Sequence, residues 1–229
     1  MTVFRPKLAI LSAPQRALWP SLAEVPGGFV LYGGTALALR LGHRRSVDFD
    51  FFGSEPIDLD RLAASIPFLA DAVLLEHRVN TLAVSVRPVE GARAVKVSFF
   101  GGLDLRVIDT PSRAGASGIL IASLPDLAGT KAKALHDRIE LKDYRDIAAL
   151  LKAGMTLPEI AACAVTVFAG RVDWAATMSA MTYFGEPAMR AFPESLKQTL
   201  RRAGLGATPV RQPAARYRSI AASATAGGR

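Results

Sequence analysis

The chain has 229 residues, half of them hydrophobic and 21% charged, with a formal net charge of +8. At this length folding buries roughly 70% of the unfolded surface, enough for a real core, and the composition excludes a largely disordered or collagen-like chain. No apolar run reaches the roughly 20 residues of a membrane span, and the N-terminal stretch runs into Pro14, Gln15 and Arg16 without the sustained apolar core of a secretory leader. The expected address is the cytoplasm. Cys163 is the only cysteine, which forbids an internal disulfide, reads as a buried small hydrophobe and leaves any metal site to His, Asp and Glu.

In chain order, residues 8–22 carry apolar side chains near helical spacing, interrupted by Pro14, and predict one helix or two short ones before the Pro-Gly-Gly turn at 26–28. Phe29-Val30-Leu31-Tyr32 is a short buried-type strand that runs into Gly33-Gly34-Thr35, after which residues 36–41 are strong helix formers. Residues 46–52 alternate polar and apolar with period two, the pattern of a strand with one buried face. A helix over 58–69 and strands over 72–77, 81–87 and 93–100 follow, with 103–108 as a further candidate strand. Beyond Ser123 the pattern is helical over 124–139, 142–152, 157–169, 174–184 and 194–202. The fold class is therefore α+β: a mixed sheet with helices in the N-terminal half and a helical bundle in the C-terminal half. Domains are expected at 1–122 and 123–203.

The charge is unevenly placed. From Ser195 onward stand Lys197, Arg201, Arg202, Arg211, Arg216, Arg218 and Arg229 with no acid, leaving the first 194 residues near +1. Residues 204–229, rich in Gly, Ala, Ser, Thr, Pro and Arg, predict a flexible basic tail, either a nucleic-acid contact or a solubilising terminus.

The segment that carries chemistry is LYGGTALALRLGHRRSVDFDFF, in which twelve residues separate Gly33-Gly34-Thr35 from Asp48-Phe49-Asp50. Period two puts Asp48 and Asp50 on one face of a strand while Val47, Phe49 and Phe51 point into the core. Two neighbouring carboxylates stay ionised when a hard cation sits between them, and Mg²⁺ held by one or two carboxylates plus substrate phosphates is the usual arrangement at nucleotide sites. Gly33 and Gly34 open a helix whose free N–H groups suit an anion. Thr35 adds a hydroxyl, and His43-Arg44-Arg45-Ser46 brings cations and a second hydroxyl to the same strand.

The string GGT, twelve residues, then DFD resembles the signature of the nucleotidyltransferase superfamily. The fuller string GGTALAL..GHRRSVDFDFF is similar to the AbiEii/AbiGii toxin family, which includes the MenT-type toxins. A second stretch agrees: in LPDLAGTKAKALHDRIELKDYRDIAAL, Lys131 stands where the family has a helical lysine, and Lys142-Asp143-x-x-Asp146 resembles its closing (K/R)D-x-x-D element. The resemblance spans roughly residues 28–152. It implies Mg²⁺-dependent transfer, with one or two ions, of a nucleoside monophosphate from an NTP to an acceptor. RNA, with tRNA first, is the implied acceptor, and an antitoxin protein the implied partner. By position, Gly33, Gly34, Thr35, Arg44 and Ser46 would hold the triphosphate, and Asp48 and Asp50 the metal. Lys131 would meet the phosphates, with Asp143 or Asp146 organising that lysine.

One position departs from the superfamily pattern. A third carboxylate on a later strand would fall at Ser98 in Val95-Lys96-Val97-Ser98-Phe99-Phe100, and serine is a poor Mg²⁺ ligand and no base. Either two aspartates suffice, or Asp104 reaches in, or the enzyme is impaired. The competing readings are a small-molecule nucleotidyltransferase acting on an antibiotic and a catalytically degenerate scaffold that binds nucleic acid or a protein.

Overall fold

The computed structural model describes residues 4–227. They form two compact units: a sheet unit running to Leu105 and taking in Thr110–Ser123 and the chain from Tyr217, and a helical unit of Arg106–Asp109 and Leu124–Arg216.

In the sheet unit the first predicted helix is short. Ser12 and Gln15 form a capping box at the start of α1 (Ala13–Leu18), and 3₁₀ turns flank it at Leu8–Ile10 and Trp19–Glu24. Strand β1 (Val30–Tyr32) passes directly into α2 (Gly33–Leu41), which ends at Gly42 in the left-handed region, where Lys7 Nζ donates to the Leu41 carbonyl at 2.9 Å. Strand β2 (Asp48–Phe52) and helix α3 (Leu59–Ser65, capped by Asp58) follow. Next come β3 (Val73–Arg78), β4 (Thr81–Val86), β5 (Val95–Phe100), β6 (Ser112–Arg113) and β7 (Leu120–Ile121).

The seven strands form one mixed sheet in the order β3-β4-β5-β2-β1-β7-β6. β2 lies antiparallel to β1 and parallel to β5, so it is an interior strand and both its edges are paired. Its period-two alternation decides its faces: Phe49 and Phe51 are buried, Asp48 and Asp50 are half-buried on the other side. Phe51 stacks on Phe99 with centroids 5.4 Å apart, and Phe49 meets Trp19 at 6.2 Å. That aromatic face anchors the strand and so aims the aspartates away from the core.

The helical unit contains α4 (Leu124–Asp137), α5 (Leu141–Lys152), α6 (Leu157–Val167), α7 (Trp174–Thr182) and α8 (Glu194–Gly204). Helices α4 and α6 approach closely at Gly129, where a Cβ would lie 2.8 Å from the Cys163 carbonyl oxygen and 3.0 Å from Val167 Cγ2. Cys163 is buried in that contact. Tyr144 of α5 packs against Phe184 and Phe192 at 5.4 and 5.2 Å, and its hydroxyl donates to the Ala180 carbonyl.

Two expectations are corrected. Residues 103–108 form no strand, because the buried Asp126 at the start of α4 accepts from the backbone of Ile108 and Asp109 at 2.7 and 3.2 Å, and Arg106 N–H donates to Val167. A buried carboxylate that takes two amides outcompetes a strand ladder there. The expected flexible tail over 204–229 also differs from the structure. Thr166 donates to the Pro213 carbonyl, and Tyr217 and Thr110 share a hydrogen bond of 2.7 Å. A ninth helix, α9 (Ile220–Gly227), then packs in the sheet unit with Ile220, Ser223 and Ala224 buried and Ala221 N–H donating to Ser54. Small residues allow close backbone packing, which composition alone reads as low complexity. Arg229 lies outside the described residues.

Gly129→Ala is expected to lower stability by about 1–3 kcal/mol, because its new methyl meets backbone rather than a yielding side chain. A thermal melt that drops by several degrees checks this, and an unchanged melt would show that the two helices part without cost.

Candidate active site

The sheet unit's site starts at the β1–α2 junction. Tyr32, the last residue of β1, pairs in register with Asp50 of β2, and the strand turns into a helix at the very next residue. The N-cap residue, Tyr32, makes no side-chain capping hydrogen bond to the first turn of α2. Gly33 has φ +72°, in the left-handed region, and a Cβ there would lie 2.5 Å from Asp50 Oδ2. A Cβ on Gly34 would lie 2.5 Å from Arg44 Nη2 and 3.1 Å from Ser46 Oγ. The glycines are therefore required by close approach: an acidic side chain sits over one, and a guanidinium and a hydroxyl over the next.

Of the predicted residues, Gly33, Gly34, Arg44, Ser46 and Asp50 converge on this turn. Asp48 stands one pleat along the same face as Asp50. Thr35 has a different task from the one expected of its side chain. It is buried, and its hydroxyl donates to the main-chain carbonyl of Asp48, tying the first turn of α2 to the start of β2. That bond sets the height of the helix terminus against the aspartates.

Asp48 and Asp50 offer hard oxygen donors of the kind Mg²⁺ selects. Among the described residues no group of three or more His, Cys, Asp or Glu converges. The donor set that a divalent cation would meet here is thus these two carboxylates, and any further ligands would have to come from outside the protein. Ser98, the position where a third carboxylate was expected, pairs in register with Asp50. It is 0% exposed, and its hydroxyl has no hydrogen-bond partner. Asp104 is exposed, beyond β5. A residue that sequence reasoning passed over is Lys96, exposed and in register with Asp48. The period-two alternation of Val95–Phe100 held the signal, since Lys96 and Ser98 share a face.

The helical unit holds a second constellation. Lys131 is only 5% exposed, with its ammonium 2.9 Å from Asp143 and 2.8 Å from Asp146, both fully buried. Arg138, which the sequence reading missed, donates from Nε to Asp143 at 2.9 Å. Burial opposes ionisation of Asp143, but the hydrogen bond from Arg138 and the charge of Lys131 hold its carboxyl below the usual carboxylate range. Lys131, Asp143 and Asp146 are buried while Arg138 closes the set from an exposed edge, so removing Lys131 leaves uncompensated buried carboxylates and is costly, about 3–5 kcal/mol. Lys131 is thus also a structural centre of its unit.

With this geometry in view, the sequence matches the family model described as nucleotidyl transferase AbiEii toxin, type IV TA system, over residues 16–225. It is 32% identical over 159 residues to the uncharacterized protein aq_aa25 of Aquifex aeolicus (strain VF5), covering 68% of this chain and 73% of that protein. Its fold is similar to that of MenT4, a nucleotidyltransferase toxin from Mycobacterium tuberculosis H37Rv. The TM-score is 0.58 at 14% identity, over 89% of this chain and 85% of that one.

Two outcomes test the site's construction. Gly33→Ala is expected to cost about a hundredfold in turnover by displacing Asp50, whereas Gly34→Ala meets only the mobile tips of Arg44 and Ser46 and should weaken nucleotide binding with the melting temperature nearly unchanged. Because Asp143 has a depressed folded pKa, its contribution to stability is present above the unfolded carboxylate pKa of about 3.9. It is lost as pH falls through the lower folded value. Melts recorded from neutral pH into that acid range should fall more steeply for the wild-type chain than for Asp143→Asn.

Proposed function

Since the chain belongs to the AbiEii family of nucleotidyltransferase toxins of type IV toxin–antitoxin systems, we propose that it transfers a nucleoside monophosphate from an NTP to an RNA acceptor, tRNA first, in a Mg²⁺-dependent reaction. The observation that carries this reading is the pair Asp48 and Asp50 on one face of β2, beside the first turn of α2 with Arg44 and Ser46 over Gly34.

The reaction joins an acceptor hydroxyl oxygen to the α-phosphorus, breaks the bond from that phosphorus to the bridging oxygen, and releases pyrophosphate; the hydroxyl proton leaves to solvent. Little covalent work falls to the protein, so positioning and charge stabilisation dominate. The amides of Gly33, Gly34 and Thr35 donate to phosphate oxygens, Arg44 and Ser46 add side-chain donors, and Asp48 and Asp50 hold Mg²⁺. When bound, Mg²⁺ supplies Lewis-acid polarisation of the phosphoryl oxygens. In this reading Lys131 neutralises phosphate charge, with Asp143, Asp146 and Arg138 holding its ammonium in position.

RNA is favoured as acceptor because the surplus charge is basic and concentrated at the C-terminal end, from Lys197 onward, which suits a polyphosphate backbone. An antitoxin protein is the proposed partner. The cytoplasm, where tRNA is met, is the proposed site of action, and no single helix among the described residues is long and apolar enough to cross a membrane.

The test is incubation with each of the four NTPs labelled at the α-phosphate, Mg²⁺ and total tRNA, with Asp48→Ala alongside. Label should enter RNA from one nucleotide and fall by at least about a hundredfold in the variant. Label on a small molecule would move the acceptor to that class, and label on nothing would favour the degenerate scaffold. Lys131 variants are to be compared only after their melts show a folded chain.

A further inference from the structure

The parallel pairing of β2 with β5 does more than support the aspartates. Its register sets Asp48 beside Lys96 and Asp50 beside Ser98. Side chains paired across neighbouring strands share a face and start from backbones about 5 Å apart. The face next to the two carboxylates therefore offers one lysine and one neutral hydroxyl. One strand further, β4 continues the same two rows with Ser85 beside Lys96 and Ala83 beside Ser98. No carboxylate stands on either row of β4 or β5.

A second divalent ion in a phosphoryl-transfer site needs anionic donors of its own. Here the positions that could supply them hold a hydroxyl and an ammonium. Lys96 is exposed and makes no ion pair among the described residues, so its charge is not consumed within the protein. Its four-carbon stem lets the ammonium swing over Asp48 or over a bound phosphate, as a compact point charge with three donors. Ser98 is the opposite case: fully enclosed, with an unpartnered hydroxyl facing the Asp50 row.

We infer that Lys96 meets an anionic oxygen of the nucleotide beside Asp48 and supplies the positive charge that a second metal ion would otherwise supply, so that the site works with one divalent cation and one ammonium. This rests on the nucleotidyl-transfer reading above. The lysine also repels a second ion from the Asp48 side, and the serine gives such an ion nothing to bind on the Asp50 side.

The test uses the full chain, Mn²⁺ and the non-transferable α,β-methylene analogues of the four NTPs. Calorimetry reads affinity and the electron paramagnetic resonance of free Mn²⁺ counts bound ions. The wild-type chain should bind one Mn²⁺ per bound analogue. Lys96→Met should weaken analogue binding by on the order of tenfold or more, the value of one hydrogen bond to a charged group, while Lys96→Arg stays within about threefold. The double variant Lys96→Met/Ser98→Asp should bind two Mn²⁺ per analogue, because a carboxylate then stands in register with Asp50. Lys96 is exposed, so the single variants should melt with the wild type. Analogue binding by Lys96→Met within about twofold of wild type, or two Mn²⁺ per analogue in the wild-type chain, would overturn the inference and leave the nucleotidyl-transfer reading standing. No analogue binding by the wild-type chain would overturn both.

Discussion

Two carboxylates two residues apart on one face of a strand repel each other, and the sheet unit is organised around that repulsion. Phe49 and Phe51 on the opposite face fix the strand in the core by aromatic packing, so Asp48 and Asp50 cannot rotate away from one another. The Thr35 hydroxyl ties α2 to the carbonyl of Asp48, and two glycines let the helix start come up against the Asp50 carboxylate and the Arg44 guanidinium. The unit thus holds negative charge beside a helix start whose N-cap side chain makes no capping bond.

The helical unit answers its own charge problem differently. Lys131, Asp143 and Asp146 neutralise one another in a desolvated interior, and the exposed Arg138 adds its charge from the edge. A cation held this firmly loses little entropy when it meets a further anion, which favours precise placement over reach. Lys96 is the contrasting solution: exposed, long and unconstrained. The chain therefore carries one lysine positioned by buried carboxylates and another positioned only by strand register.

Membership of the AbiEii family makes the chain a nucleotidyltransferase. Its fold is similar to that of MenT4 at only 14% identity.

Strand β2, the β1–α2 junction and five helices of the C-terminal half were legible in the sequence, because each rests on local rules: period two, glycine freedom, helical spacing. The convergence of Gly33, Gly34, Arg44, Ser46 and Asp50 was legible for the same reason, since a short segment brings them together. What tertiary structure alone decided depends on partners far away in the chain. The two-residue strands β6 and β7 are too short to show a period, and α9 is built of small residues whose packing needs a surface to receive them. Asp126 cancels an expected strand by taking its amides, and Thr35 gives its hydroxyl to a carbonyl thirteen residues on. The register of β2 on β5 sets Lys96 beside Asp48, 48 residues apart in the chain. Local periodicity assigns a side chain to a face; only the pairing of distant backbones decides which side chains share it.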